Sequence, residues 1–363
     1  MSRSIYALTA VVLLLSVLLA APRTALHAQS GTPDCVPATP SGQGGNEDVR
    51  RQVILDKIRG HLLLTLPLRE SGDYEKAAMH AGHPVAELLS IIAGDLRRAC
   101  FLDTLRQALL GYANLMGKDS DKAVVEQTHK ALLATLDDAS TRLLSEAVRS
   151  DPVFNFRVVA GVLIDSQQEY AEGYKDGKIV EAIEYQDSMG FYMVAKARYD
   201  SIRARLSELT NGADKAADPH WATLAGAYAS VQPPEKPLDP ATLSSAVDSL
   251  TSTLAQALKI TLEAKLTPLE YLTNAQQELT EALELYEKGN QDEAYETAAS
   301  AYLDQFENVE GPLAEKDKEL MESIEAQMKA FRDAIKAGKP VSEVQALLAQ
   351  IAPNIEKAMA LFS

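Results

Sequence analysis

An all-α fold is what this chain predicts, arranged as two helical-bundle domains built from antiparallel helical hairpins. Three observations carry the prediction. Apolar residues recur at helical spacing through most of the 363 residues. Gly and Pro fall where those stripes end, and alternating β-branched runs joined by hairpin turns are missing. The clearest stripe is Tyr295, Ala299, Tyr302, Phe306, Val309 and Leu313, at alternating steps of four and three, which draws one apolar line along a helix.

Taken in order, Ile5 to Ala21 is a nearly unbroken apolar run preceded by Arg3 and followed by small residues up to Ala28. Residues 1–28 read as a secretory signal peptide, an uncleaved N-terminal anchor being the alternative. The expected location is exported, periplasmic or otherwise extracytoplasmic. No second run of that length follows, so no membrane span is expected in the mature chain. Removing residues 1–28 takes away Arg3 and Arg23 and no acid, moving the formal net charge from -16 to -18. Such a surface repels nucleic-acid phosphate and suits cations or a basic partner. Cys35 and Cys100 are the only cysteines, and export makes one disulfide between them the expectation.

Residues 29–46, rich in Gly, Pro, Ser and Thr, read as a flexible leader. Residues 47–209 form the expected N-terminal helical domain. Val53, Ile54, Ile58, Leu62 and Leu66 mark its first helix, which Pro67 closes. Gly72 ends one helix, Asp73 starts the next, and Pro84 opens a helix expected to run towards Met116. Helices follow from Lys122 and from Pro152, the latter broken at Gly177. Residues 210–240, with four prolines between Pro233 and Pro240, read as a Pro-rich linker. The C-terminal helical domain, 241–363, holds a hairpin turning at Gly289-Asn290, a bend at Gly311-Pro312 and a last helix broken at Pro353. Gly72/Ala77, Gly177/Ala182 and Gly289/Ala294 repeat one spacing, and Glu87 and Asp304 both lie fifteen residues after their glycine. Duplicated hairpins explain this echo.

Three clusters offer metal-ligand chemistry. His80, His83 and Glu87 gather two imidazoles and a carboxylate beside a helix start, a set suited to iron(II) or zinc. Its ordinary alternative is a helix-capping His83 and an interface His80. Glu181, Glu184 and Asp187, and again Asp304, Glu307 and Glu310, are carboxylate ladders in steps of three, hard oxygen donors for a hard cation. Their ordinary alternative is a solvated acidic face. One helix cannot surround an ion, so a site requires at least two clusters to converge. His61 and His129 sit in amphipathic helices without a comparable setting.

Three segments carry a family resemblance: H-A-x-H-P-x-x-E at His80–Glu87, E-Y-Q-D-S-x-G-F at Glu184–Phe191, and A-Y-L-D-x-F-E-x-x-E-x-x-L-x-x-x-D at Ala301–Asp317. They resemble the extracytoplasmic helical region of bacterial high-affinity iron permeases, here as a separate exported chain. Ser188 stands where the family pattern has alanine. The likeness spans residues 50–206 and 265–335. It implies an accessory protein that binds iron through carboxylates, with histidine optional, and delivers it to a membrane iron permease. The permease's R-E-x-x-E transport motif is missing here. No phosphate loop, nucleophile elbow or H-E-x-x-H motif occurs, so no enzyme is expected. The reading from another class is a metal-free helical interaction scaffold at the cell envelope.

Overall fold

Helix starts follow capping chemistry. The side chains of Asp73, Asp121, Ser145, Asp151 and Asp239 each accept a hydrogen bond from a first-turn amide, and Thr267 forms a capping box with Glu270. The protein was analysed as a computed structural model, which describes residues 36–117, 119–262 and 266–362. The expected signal segment 1–28, the first part of the leader and Cys35 lie outside the described residues.

The elements are α1 (Asn46–Glu70), α2 (Tyr74–His83), a π-helical turn (Pro84–Leu88), α3 (Ala93–Arg98) and α4 (Leu102–Ala113). Next come α5 (Lys122–Leu143), α6 (Glu146–Arg149), α7 (Pro152–Glu172), α8 (Ala182–Leu209), α9 (Asp218–Ala227) and α10 (Pro240–Leu258). The chain closes with α11 (Pro268–Glu287), α12 (Gln291–Ser300), a second π-helical segment (Ala301–Phe306), α13 (Glu307–Lys336) and α14 (Val341–Ala360). The all-α fold is thus observed, with one addition. Strands β1 (Tyr174–Lys175) and β2 (Lys178–Ile179) pair across Asp176 and Gly177. Both turn residues have positive φ, and Asp-Gly is the dipeptide that accepts this geometry in a two-residue hairpin.

Several local expectations are corrected. The helix expected from Pro84 to Met116 is interrupted: a π turn follows Pro84, and Cys100 adopts φ 57 between α3 and α4. Pro312 and Pro353 lie inside helices without breaking them; α13 is kinked further on, at Asp317, with φ -157 and ψ 87. Residues 36–45 do not hang free. The Ala38 amide donates to Arg98 O at 2.8 Å, Ser41 N to Leu143 O at 2.9 Å, and Ser145 N returns to Ser41 O at 2.8 Å.

The division at 210–240 also shifts. Residues 213–227 are helical, and Leu243, Val247, Leu250 and Leu254 of α10 are buried in the same apolar cluster as Ile58, Leu62 and Phe156. A separate cluster begins at Leu272 and includes Phe306, Phe331 and Ile355. Prolines stop a helix but do not prevent the next one from folding back, so α10 completes the first core. Cys100 is disulfide-bonded and no described cysteine is free; Cys35 is the only other cysteine in the sequence. Thiol titration of the unreduced, denatured protein should find no free thiol, and two would overturn the pairing.

Candidate metal centre

Two glycines bring the site together. Gly60 lies mid-way along α1 and Gly190 in α8, each costing a helix roughly 1 kcal/mol relative to Ala. Here they let the helices cross backbone to backbone: a Cβ on Gly190 would lie 2.5 Å from Gly60 O, and one on Gly60 would lie 3.0 Å from Gly190 C. His61 follows the first glycine and Asp187 precedes the second by less than one turn. The crossing therefore sets His61 Nδ1 2.6 Å from Asp187 Oδ1. Helix α2 then lays His80 Nδ1 2.8 Å from the same oxygen, and His83 Nδ1 3.5 Å from Oδ2.

Three imidazoles from two helices and a carboxylate from a third thus converge, with one ligand atom of each within 4.8 Å of all the others. Three members are buried, His80 0%, His61 3% and Asp187 4% exposed, and His83 is half-buried. Phe191 packs edge-on against His61, ring centroids 5.2 Å apart.

The outer hydrogen bonds favour a cation at the centre. Gln186 donates its amide N–H to Val231 O at 2.9 Å, which points Gln186 Oε1 at His80 Nε2, also at 2.9 Å. His80 therefore carries a proton on Nε2, and its Nδ1 faces Asp187. A lone pair and a carboxylate oxygen repel unless a proton or metal ion lies between them. His61 Nδ1 and His80 Nδ1 both lie at hydrogen-bond distance from Asp187 Oδ1, so a shared proton or a metal ion is what can match these buried atoms, which would otherwise cost about 1–3 kcal/mol each. A partner that holds a ligating imidazole by its other nitrogen is the usual arrangement in metal sites.

Electrostatics agree. Burial works against the Asp187 charge, yet the His61 and His80 rings hold its carboxyl well below the usual range. Burial pushes His61 down. For His83, burial is outweighed by Asp187, Glu87 and Glu184, which lift it to about 9. Protons thus occupy the nitrogens that a metal ion would need, and any metal affinity should fall as pH falls.

A second group, Glu169, Glu172 and Glu184, also has ligand atoms within 4.8 Å of one another. Glu169 and Glu172 line a cavity of about 460 Å³ together with Lys57, Asp165, Asp304 and Glu307. Lys57, whose Nζ lies 3.2 Å from Asp165, is the counter-charge here. Burial raises the pKa of Glu169, Glu184 and Glu307, and carries Glu310 to about 7. A raised carboxyl binds protons in the folded state that the unfolded chain has released. The stability lost should therefore accumulate as pH rises from about 4.5 to 7. Metal-free protein should melt higher near pH 5 than near pH 7.5; an unchanged or reversed order would show that these carboxyls ionise freely.

The expected clusters are thus partly merged. His80, His83 and Asp187 come together, and Glu87 sits at their edge, 3.9 Å from His83. Glu184 joins the second group, and Glu307 lines the neighbouring cavity. Glu310 is engaged with Tyr302. Glu181 is exposed at the α8 start. Asp304 pairs with Arg50 at 2.6 Å, away from the imidazoles. His61, Glu169 and Glu172 were not expected. The signal for His61 was the glycine before it, which needs a packing reason inside a helix; for the two glutamates it was their spacing of three.

Imidazoles and a carboxylate gathered between packed helices are the arrangement from which helical bundles build ion sites. Residues 145–261, from the start of α6 to just past α10, match the family model of the iron permease-associated 4-helix bundle domain. This region supplies Asp187 and the second carboxylate group, while the three histidines come from the segment before it. No curated protein and no solved structure matches the chain. No helix of the described residues is long and apolar enough to cross a membrane.

Proposed function

We propose that the protein is an exported accessory component of a high-affinity iron uptake system, which binds iron at His61, His80, His83 and Asp187 and delivers it to a membrane permease. The observation that carries the reading is the convergence of three imidazole nitrogens, from two helices, on one buried carboxylate of a third. Three neutral nitrogens and one carboxylate suit iron(II) and other late divalent metals better than calcium or magnesium, which take oxygen donors. The match to an iron permease-associated domain favours iron among them. Glu87, Glu169, Glu172 and Glu184 place further carboxyl oxygens near the centre. Binding and delivery, without catalysis, is the role assigned.

Anaerobic calorimetry with iron(II), and the same titration with zinc, tests the reading. One equivalent should bind tightly to the unmodified protein, and His80→Ala should weaken it by at least about a hundredfold, the upper range seen when even the supports of a metal ligand are lost. Equal, weak binding by both proteins would favour the metal-free scaffold.

A further inference from the structure

The cavity of about 460 Å³ lies where α1 and α7 meet α11 and the second π segment, and its volume falls within the range of small-molecule sites. The two long helices run parallel along it. Val53 stands against Gly161, and four residues further on in each helix Lys57 pairs with Asp165. One face of each helix forms the wall, from Asn46 through Val53 to Lys57 on α1 and from Arg157 through Ile164 to Glu172 on α7. Tyr271 and Leu303 line the cavity from the C-terminal hairpin.

Three cationic side chains line this space, and two of them are paired. Arg50 Nη2 lies 2.6 Å from Asp304 Oδ2, and Lys57 Nζ 3.2 Å from Asp165 Oδ2. Arg157 is different. It is half-buried, makes no salt bridge or hydrogen bond among the described residues, and its Nε is shielded from solvent without an acceptor. A guanidinium carries five donors in a planar fork, and a buried donor left unmatched costs about 1–3 kcal/mol. The acidic lining does not supply the acceptor. Asp304 and Asp165 are held by Arg50 and Lys57, while Glu169 and Glu172 lie about 18 and 22 Å further along the α7 axis at 1.5 Å of rise per residue. Burial also raises the pKa of Glu169 and of Glu307, which works against their negative charge. One end of the cavity is therefore cationic and the other rich in carboxyl groups. Between the two ends Val53, Ile54, Ala160 and Ile164 form an apolar wall.

We propose that this cavity binds a small organic acid, its carboxylate held by the Arg157 guanidinium and its apolar body lying along Val53, Ala160 and Ile164. The arginine fork matches the two oxygens of a carboxylate, and the apolar wall adds affinity that a bare inorganic anion cannot use. The proposal does not depend on the metal centre, since neither Asp187 nor any of the three histidines lines the cavity.

Calorimetry on the metal-free full chain, with three probes, tests the site. One equivalent of 4-phenylbutyrate should bind. Acetate has the charge without the apolar body, and 4-phenylbutylamine has the body with the opposite charge; each should bind at least about tenfold more weakly. Arg157→Met keeps an apolar stem and removes the fork, and it should weaken 4-phenylbutyrate by at least about tenfold, the loss expected for a hydrogen bond to a charged group. Arg157→Gln takes its place if Arg157→Met does not fold. Failure of 4-phenylbutyrate to bind would overturn the proposal. So would equal binding of the amine, which would assign the cavity to its carboxyl end, or equal binding of acetate, which would leave a bare charge without an apolar subsite. Undiminished binding of 4-phenylbutyrate after loss of the guanidinium would place the acid elsewhere and overturn it too.

Discussion

Gly190→Ala is expected to destabilise the protein by about 3 kcal/mol or more, at the upper end of what overpacking a core costs, and to loosen the metal centre with it. The added methyl would meet Gly60 O at 2.5 Å and Gly60 C at 2.8 Å. Both atoms are backbone, held in an α1 turn by helix hydrogen bonds, so relief requires α1 and α8 to move apart. The separation acts directly on the pair His61 and Asp187. Thermal melting and iron(II) titration should therefore deteriorate together. Gly111→Ala is the control, because nothing lies within 4 Å of a Cβ there and exchange of a helix-interior glycine for alanine favours the helix by up to about 1 kcal/mol. Equal melting of the two variants would mean that the crossing is looser than described and does not position the ligands.

Asp187→Ala carries the largest expected loss of binding. Its carboxylate is the one negative group that His61, His80 and His83 all face. Removal leaves buried imidazoles that cannot share a cation, and removing one partner of a buried ionic cluster typically costs about 3–5 kcal/mol. Asp187→Asn separates charge from shape, since it keeps the volume and places a neutral amide among the nitrogens. Both variants should lose iron(II) binding by more than about a hundredfold. Asp187→Asn should melt closer to the unmodified protein than Asp187→Ala. Retained affinity in Asp187→Asn would remove the carboxylate from the ligand set.

What the sequence made legible was chiefly local. His80 and His83 stood beside Pro84, but no helix starts there: α2 runs straight into the π turn, with His83 at φ/ψ -50/-44 and Pro84 at -53/-35. The carboxylate ladders misled for a geometric reason. At 3.6 residues per turn, a step of three falls about 60° short of a full rotation, so three such positions spread over about 120° of the helix surface. Asp187 accordingly turns to the imidazoles, Glu184 to Glu169 and Glu172, and Glu181 to solvent. His61 was hidden because its role depends on a crossing with a helix far along the chain. Asp304 was misread because its partner, Arg50, comes from another hairpin. The place of α10 in the first core depended on a chain reversal that proline content does not reveal.

Ser188, the departure from the family pattern, makes a buried polar knot in the contact between α7 and α8. Its hydroxyl and that of Tyr228 are 2.6 Å apart, and Ser166 donates to Ser188 O at 2.9 Å.

The crossing of α1 and α8 behaves as a fulcrum. Displacement produced by rocking one rod against another grows with distance from the pivot, and His61 is the next residue after Gly60. Asp187 lies about 4.5 Å along the axis from Gly190 at 1.5 Å of rise per residue. The gap between these two ligands consequently changes least when one helix rocks on the other, while the cavity lined by Glu169, Glu172 and Glu307 is walled by α1 and α7 and does not involve α8. On the proposed reading of the centre as an ion site, a gap of constant width would select its ion by radius.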